Sequence, residues 1–565
     1  MGIIKIDIMP NLKKHLKDGL FLGAMLVSLI SSSIILSGKK IFWNDELYSW
    51  FLLADPSFKH MWDAFSDQIN NTPPLYFLIG WPWAQLFGHS TLSLRLFSAI
   101  GICMALVLVW VILRRFYPFW PVAIGLALFF GTSQLILEQN AEARMYGLYL
   151  ATAALTLFGY DRLCRKQDPG KNLLLLNFLA HAALINTHLH GTFYSGALLL
   201  SLIAYDFFFL KLRLKVYFTI IGSWFTFLFY LPAFFVQIGV SKPRGWIPEP
   251  IPDDLMNLYF YRDNFFNPST LLLLFLITAF GYILIKGPQN YTIFNREKPK
   301  GQKHLLLAAL AWVAVPLGVY LLSKLMQPIF WNRYFLPTGL GIVILIVHNT
   351  HPIIATIGIQ GAITSKSFFS RKWPTGYLLS RLILFLFILA IICIPLIRSI
   401  SYKEIPRLAG SSHLLKTYPD LPVVCQFSHY FWENLFNDAQ PERYFYILDE
   451  EDAMGGKSGM FGPQEFKHMT AILRNYPEQL RDQVVGSGTF LNRFDRFIIM
   501  DYPVYDKACP EKVKGLDQAK LWEDVHCPQW LENKILNNPT YRISEIERKK
   551  FITFLLVEKK QREVN

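Results

Sequence analysis

Long apolar runs recur through the first two thirds of the chain and constrain its fold more than any other feature. A helix needs about 20 apolar residues to cross a bilayer. Charged residues make up only 17% of the chain, against about 25% in a typical soluble protein. We therefore predict a polytopic α-helical membrane protein with about eleven transmembrane helices. The predicted spans are 19–37, 91–113, 119–137, 143–160, 173–188, 191–210, 216–236, 269–286, 304–323, 335–350 and 376–397.

Lysine and arginine are concentrated in every second loop between these spans. Cytoplasmic loops carry an excess of these residues, and this excess sets the orientation of a membrane protein. With the amino terminus inside, the basic loops fall at 114–115, 162–171, 211–215, 286–303 and 366–372. They account for the net charge of +14 better than a nucleic-acid-binding surface does, because the basic residues form no single face. An odd number of spans then places the carboxyl terminus outside.

The character of the chain changes at about residue 399, beyond which no long apolar run occurs. Short β-like stretches at 422–427, 444–448, 496–500 and 551–557 alternate there with helical stretches such as 466–475 and 530–537. This pattern predicts a membrane domain over 1–398 and a periplasmic α/β domain over 399–565. Disulfides persist in an oxidising outer compartment, so we also predict a disulfide between Cys509 and Cys527.

Two adjacent carboxylates, Asp45 and Glu46, follow the first span in the first outer loop. They could carry catalysis, or they could be a solvated acidic pair that caps a helix. A second charged segment, with Glu142, Arg144 and Tyr146, joins the third and fourth spans. Charges at membrane depth cost roughly 2.5–3.5 kcal/mol each, so this segment needs partners or a polar cavity. A Glu–Arg pair that merely joins two helices and a functional site are equally compatible with it.

Further polar residues fall in the other outer turns. His188 and His190 could bind a metal ion, but no third ligand is evident, and histidines hydrogen-bonded within a turn are the better interpretation. We predict no metal site, although a divalent metal remains possible as a cofactor. Arg333 and Tyr334 lie at the outer mouth of a late span. The arginine could be a snorkelling anchor or could meet an anionic ligand.

These segments together resemble the C-type glycosyltransferase superfamily, in particular the protein O-mannosyltransferases and the aminoarabinose and lipopolysaccharide-core transferases of bacteria. The resemblance covers roughly residues 1–400, in order and spacing. Its segments are Asp45-Glu46, the Pro-Pro-Leu-Tyr segment at 73–76, Ser-Leu-Arg-Leu-Phe-Ser at 93–98, Glu-Ala-Arg-Met-Tyr at 142–146, and Arg333-Tyr334.

The resemblance implies a sugar donor carried on a polyprenyl phosphate and a lipid, glycan or protein acceptor in the cell envelope. Asp45 would deprotonate the acceptor, while Glu46 would orient Asp45 or hold its helix. Arg144 and Arg333, with Tyr146 and Tyr334 beside them, would contact the departing phosphate. Direct attack would invert the anomeric carbon. The further site candidates are Glu142, His188 and His190, and the implied location is the bacterial inner membrane.

Two other interpretations of the sequence stay open. A flippase or other transporter of lipid-linked sugars would move its substrate without forming a glycosidic bond. A non-catalytic scaffold for envelope assembly would not depend on Asp45. Ionisable residues in a transporter are expected within the spans, whereas here they gather at the outer ends, which favours the transferase.

Overall fold

The computed structural model combines a bundle of helices with a carboxyl-terminal sheet. It describes residues 9–242, 247–260, 264–267, 269–273, 275–276, 302–359, 375–403, 414, 416–454, 462–480, 482–501, 530–536, 538–549 and 552–560. The predicted disulfide and most of the predicted span 269–286 lie outside these residues.

The helices of the amino-terminal part account for most of the described chain before residue 402. Their bounds are α1 Met9–Lys39, α2 Asn44–Leu53, α3 Phe58–Ser66, α4 Leu75–Phe87, α5 Thr91–Leu113, α6 Phe119–Thr132, α7 Gln134–Gln139, α8 Tyr146–Cys164, α9 Lys171–Thr187, α10 Gly191–Phe209, α11 Leu214–Trp224, α12 Leu231–Gln237, α13 Pro252–Phe260, α14 Lys303–Leu325, α15 Thr338–Ile359 and α16 Thr375–Ser401.

Five helices in the described ranges are long and apolar enough to cross a membrane. They are Leu16–Lys39, Thr91–Leu113, Gly191–Phe209, Lys303–Leu325 and Arg381–Ser401. Leu214–Phe229 and Leu231–Ser241 would form a sixth span that is bent by 61°. A multi-pass helical architecture is therefore confirmed, whereas the predicted count of about eleven also needs shorter apolar helices and stays a prediction.

The predicted span 119–137 is wrong as a single helix, because the structure divides it at Ser133. Ser133 has extended backbone angles (φ −63°, ψ 125°), and its hydroxyl accepts a hydrogen bond from the N–H of Ile136 at 3.3 Å. A serine that caps a new helix competes with continuation of the previous one. The following helix, α8, begins at Tyr146, three residues later than predicted. Residues 140–145 therefore form a connection between two helices, where their side chains can contribute to a site.

Close approach of α5 and α8 positions this segment. A side chain at Gly147 would lie 2.0 Å from the carbonyl oxygen of Ser98, so only glycine fits between the two backbones. The Ser98 hydroxyl donates to the carbonyl oxygen of Arg144 at 2.7 Å. Packing of the two helices therefore fixes the backbone that carries Arg144.

The carboxyl-terminal part contains a six-stranded sheet of order β3-β2-β1-β4-β6-β5. Its first four strands in this order are parallel, and β6 and β5 are antiparallel to their neighbours. The predicted small α/β domain is thus present, with β3 and β5 in addition to the predicted strands. The strands are β1 Val423–Cys425, β2 Tyr444–Ile447, β3 Val484–Val485, β4 Arg496–Asp501, β5 Tyr541–Lys549 and β6 Ile552–Lys559; the helices are α17 Ser428–Asn437, α18 Glu450–Met454, α19 Gly462–Asn475, α20 Pro477–Leu480, α21 Ser487–Arg493 and α22 Trp530–Leu536.

This sheet domain is docked on the segment between α1 and α5, which is the predicted first outer loop. Arg474 forms a bidentate ion pair with Asp67, with nitrogen–oxygen distances of 2.7 and 2.9 Å. The Tyr476 hydroxyl donates to Asp55 at 3.0 Å. Between these contacts, the Trp432 ring packs against Phe51 of α2, with 5.4 Å between the ring centroids. The sheet domain therefore covers α2, the helix that carries Asp45 and Glu46.

Candidate active site

The first turn of α2 places Asp45 and Glu46 in different surroundings. Trp43 is extended before the helix, and its backbone N–H donates to Glu46 Oε2 at 3.2 Å. Consecutive residues on a helix face different directions. The Asp45 side chain is consequently 21% exposed, whereas that of Glu46 is fully buried.

Glu46 is saturated by hydrogen bonds from three parts of the chain. Arg95 of α5, itself fully buried, donates from Nε to Oε1 at 2.8 Å and from Nη2 to Oε2 at 2.7 Å. The backbone N–H of Ala143 donates to Oε1 at 2.7 Å. Together with the N–H of Trp43, these donors occupy all four lone-pair positions of the carboxylate. The geometry therefore favours holding α2 in place as the role of Glu46.

Asp45 faces two arginines. Nη2 of Arg333 lies 2.9 Å from Asp45 Oδ2, and Nη1 of Arg144 donates to the Asp45 carbonyl oxygen at 3.0 Å. Burial acts to raise the pKa of Asp45, but the positive charges of Arg144 and Arg333 oppose it and bring the pKa below its ordinary value. Asp45 is therefore ionised at neutral pH.

Aromatic rings hold Arg333 in position. Its guanidinium carbon lies 5.5 Å from the centroid of the Trp43 ring and 5.6 Å from that of Tyr146, within the range of cation–π attraction. The Tyr146 and Tyr334 rings are stacked, with 6.5 Å between centroids and 18° between planes. Residues from the first, fourth and last segments of the sequence resemblance thus meet around Arg333.

Several buried polar atoms around this cluster have no hydrogen-bond partner among the described residues. They are Nε of Arg144, Nε of Arg333 and Oε2 of Glu142. Leaving a buried donor unpaired lowers stability by about 1–3 kcal/mol, and by more when the donor is charged. Two unpaired guanidinium donors near one carboxylate are suited to an anionic ligand.

Glu142 lies near the cluster but differs from Asp45 in its protonation. Burial raises the pKa of Glu142 to about 7, although Lys40 and Arg333 act to lower it. Its side chain is 9% exposed. The pKa of Glu142 therefore lies near neutral pH, whereas that of Asp45 lies below its ordinary value.

His188 and His190 pack beneath Tyr334. Each histidine ring lies 4.9 Å from the Tyr334 ring. Nε2 of His190 donates to the carbonyl oxygen of Ile329 at 3.1 Å, and Nδ1 of His188 accepts from the His190 N–H at 3.1 Å. The described part of the chain contains no group of three or more His, Cys, Asp or Glu side chains that could hold a metal ion. The geometry favours a packing role for both histidines.

Three contributors to the site, Arg95, His429 and His468, were not singled out from the sequence. Arg95 lies within an apolar helix, and a lone charge at such a place signals a buried partner, which is Glu46. His429 and His468 come from the sheet domain and lie close enough to Asp45 for their charges to lower its pKa. No local sequence signal connects these histidines with the first outer loop.

The helical bundle with its appended sheet is a fold that also occurs in a solved structure. The chain is similar to the crystal structure of ArnT from Cupriavidus metallidurans in the apo state. The two chains are 12% identical, with a TM-score of 0.52, over 95% of this chain and 97% of ArnT. ArnT bound to undecaprenyl phosphate gives the same identity and coverage and a TM-score of 0.49. No family model and no curated protein matches the chain.

The likeness to ArnT confirms the predicted resemblance at the level of the fold. At 12% identity it does not specify the substrates of this chain. The chemistry must therefore be argued from the cluster around Asp45.

Proposed function

We propose that this protein is a membrane glycosyltransferase that moves a sugar from a polyprenyl-phosphate donor to an envelope acceptor, with inversion at the anomeric carbon. The observation that carries the proposal is the carboxylate of Asp45, which is paired with Arg333, while Arg144 donates to the backbone carbonyl oxygen of the same residue. A transferase of this kind needs both parts, a base for the acceptor and cations for the leaving phosphate.

The two arginines are the proposed phosphate site. Arg144 is 8% exposed and Arg333 is 17% exposed at the side chain, so a phosphate meeting them would be largely shielded from water. Electrostatic attraction strengthens as water is excluded. Their unpaired Nε groups supply donors that the protein itself does not use. Tyr146 and Tyr334 would keep the Arg333 guanidinium in place for the donor.

Asp45 is the proposed base. Its Oδ2 accepts a hydrogen bond from Arg333, and within the described residues Oδ1 accepts none. The acceptor hydroxyl would give its proton to Oδ1 as its oxygen bonds to the anomeric carbon. The bond between that carbon and the phosphate oxygen would break, and its electron pair would leave with the phosphate. Phosphate is a good leaving group, so the step does not require the acid that glycosidases supply.

We place the reaction on the outer face of the bacterial inner membrane. The support is the alternation of basic loops, which puts the loops carrying Asp45, Arg144 and Arg333 on the side opposite to the lysine-rich and arginine-rich loops. The contacts between the sheet domain and the loop that carries α2 support placing that domain on the same side.

The orientation predicts the behaviour of reporter fusions. A reporter that is active only outside the membrane is expected to work when joined after Ser90 or at the carboxyl terminus. The same reporter is expected to fail after Lys166, in a basic loop. Activity in the opposite pattern would place the site on the cytoplasmic face.

The pH dependence of transfer distinguishes Asp45 from Glu142 as the base. The lowered pKa of Asp45 keeps it ionised well below neutral pH, so kcat/KM is expected to stay level from about pH 8 down to about pH 5.5. Glu142, whose pKa is about 7, would lose its charge over this range, and kcat/KM would fall about tenfold per pH unit below 7 if it were the base. The control is Glu142→Gln, which is expected to retain transfer within a few-fold.

The direct test of the function is sugar transfer by the purified protein in detergent. With a radiolabelled polyprenyl-phosphate sugar and an envelope extract from the source cells, we expect labelled acceptor to form. A flippase would carry the same donor across a vesicle membrane and yield no glycosylated product. A scaffold would do neither.

A further inference from the structure

A second cluster of arginines lies at the carboxyl end of α8, far from Asp45. The helix begins at Tyr146, beside Arg333, and ends at Cys164. At 1.5 Å per residue its 19 residues extend about 28 Å, which is close to the thickness of the hydrocarbon core of a bilayer. The arginines at its carboxyl end therefore lie about one membrane thickness from the candidate active site.

One buried carboxylate fixes two of these arginines. The Asp161 side chain is fully buried, and its Oδ2 accepts from Nη1 of Arg115 at 2.6 Å and from Nη2 of Arg165 at 2.7 Å. Nε2 of His304 lies 3.1 Å from the other oxygen, Oδ1. The Arg115 and Arg165 side chains are 24% and 40% exposed. Both guanidinium groups are therefore held in position while remaining accessible.

A third arginine, Arg162, joins the cluster through an aromatic ring. Its guanidinium carbon lies 4.7 Å from the centroid of the Phe158 ring, and that of Arg115 lies 5.3 Å from the same centroid. Arg162 is exposed and makes no ion pair within the described residues. Burial lowers the pKa of Arg115, Asp161 raises it, and the charges of Arg165 and Arg162 lower it again. Three positive charges thus converge around one negative charge.

Arg213, another arginine close to the end of α8, is bonded differently. It forms a bidentate ion pair with the buried Asp206, with nitrogen–oxygen distances of 2.7 and 2.9 Å. Its Nη1 also donates to the carbonyl oxygens of Leu163 and Lys166, at 2.7 and 2.6 Å. One carboxylate matches one arginine here, which is typical of a structural pair. The cluster around Asp161 differs because its arginines outnumber its carboxylate.

A narrow stripe on α8 leads to the cluster. All residues of this helix are buried except four, which are Leu148, Leu155, Phe158 and Arg162. Their spacing of seven, three and four residues places them on one face of the helix, which we call the α8 stripe. The first three members are apolar and the last is a cation. The α8 stripe therefore offers apolar contact along the predicted fourth span and positive charge at its end.

Two ordinary roles of basic residues explain only part of this arrangement. Basic residues in a cytoplasmic loop set the orientation of a membrane protein, and cations stabilise the carboxyl end of a helix. Neither role requires three guanidinium groups to converge. The exposed Lys166 and Lys171, in the same basic loop, serve the orientation equally well. Basic groups that converge beside an apolar stripe at a membrane surface are suited to a lipid phosphate.

We propose that Arg115, Arg162 and Arg165 bind the phosphate of an anionic phospholipid, with one acyl chain lying along the α8 stripe. In the orientation proposed above, this lipid belongs to the cytoplasmic leaflet. The site does not depend on the transferase function. Arg115 follows α5 and Arg162 belongs to α8, so the lipid bridges the ends of these two helices. It is therefore expected to stabilise the helix pair that positions Arg144.

The test measures lipid binding to the purified, delipidated full-length protein in a neutral detergent. Dioleoylphosphatidylglycerol and dioleoylphosphatidylcholine are titrated separately, and apparent dissociation constants are read from native mass spectra. We expect the wild type to bind the anionic lipid about tenfold or more tightly than the zwitterionic lipid. The double variant Arg162→Gln with Arg165→Gln should reduce this preference to about twofold, while Arg115 remains to pair with Asp161.

The matched control is Lys166→Gln with Lys171→Gln, which removes two exposed positive charges from the same loop. It should keep the wild-type preference, and an equal loss in this control would show that loop charge alone attracts the lipid. The absence of any preference in the wild type would also overturn the site. If the double arginine variant is not monodisperse, Arg162→Gln alone carries the comparison, with an expected loss of about threefold or more.

A soluble anion separates a lipid site from a site for free phosphate. Inorganic phosphate and glycerol phosphate supply the charge without acyl chains, and each buried CH₂ group of a chain contributes about 0.8 kcal/mol. They are expected to displace dioleoylphosphatidylglycerol only at concentrations about 100-fold higher or more. Displacement at equal concentration would assign the arginines to a free anion and overturn the lipid assignment.

Discussion

Replacing Asp45 with asparagine is expected to lower the turnover number for sugar transfer by about 100-fold or more. Asparagine retains the shape of the side chain and an oxygen that can accept the hydrogen bond from Arg333. It cannot take a proton from the acceptor. The folded yield should stay close to wild type, because the Asp45 side chain is 21% exposed and makes few packing contacts to lose. Removal of its negative charge should not weaken binding of an anionic donor.

The measurement is transfer of radiolabelled sugar, normalised to monodisperse protein after size-exclusion chromatography. Asp63→Asn is a matched control, since Asp63 lies in the same loop between α1 and α5, is 55% exposed and, among the described residues, is paired with the exposed Lys59 alone. The control should transfer at the wild-type rate. Near wild-type turnover in Asp45→Asn would move the base to Glu142, the other carboxylate of the cluster whose oxygen has no partner.

Replacing Glu46 with glutamine should destabilise the protein by about 3–5 kcal/mol, the cost of breaking a buried ion pair from one side. Arg95 would then lie fully buried without its countercharge. The amide would also present a donor towards the N–H groups of Trp43 or Ala143, which now donate to the carboxylate. The apparent unfolding temperature in detergent should fall sharply. Turnover per folded molecule should fall much less than in Asp45→Asn.

The double variant Glu46→Gln with Arg95→Met separates charge from packing. Methionine fills much of the space of arginine without a charge, so the double variant is expected to recover part of the lost stability. Asp45→Asn would then lower the turnover number, whereas Glu46→Gln would lower the stability of the protein. A Glu46→Gln protein that unfolds at the wild-type temperature but loses as much turnover as Asp45→Asn would place Glu46 in the reaction instead.

The sequence predicted the elements of this architecture better than their assembly. Apolar run length predicts spans, because the bilayer imposes one length on each of them. Strand β5, in contrast, was not predicted: its residues Tyr541–Lys549 are largely charged or polar, as an edge strand permits, and they lack the apolar alternation of a half-buried strand. Strand β3 is only two residues long and gives no periodic signal.

The cluster around Asp45 was predicted only in part, because Arg95, His429 and His468 were not singled out and the pairing of Asp45 with Arg333 was not predicted. Asp45 and Arg333 are 288 residues apart, and local periodicity carries no information about contacts at that separation. The different roles of Asp45 and Glu46 also depend on tertiary contacts. The buried ion pair with Arg95 is formed by Glu46 and not by Asp45, and the sequence of the loop does not show this. His429 lies near Trp43 because the sheet domain is docked there, and no sequence motif predicts this docking.

The anomeric configuration of the product tests the central claim most directly. A sugar of known configuration on its polyprenyl-phosphate donor is transferred by the purified wild-type protein, and the new glycosidic bond is assigned by nuclear magnetic resonance. Direct attack by an acceptor that Asp45 deprotonates predicts a product of inverted configuration. Retention would show that the sugar passes through a covalent intermediate on the protein, and it would contradict the role of Asp45 as a base in a single displacement.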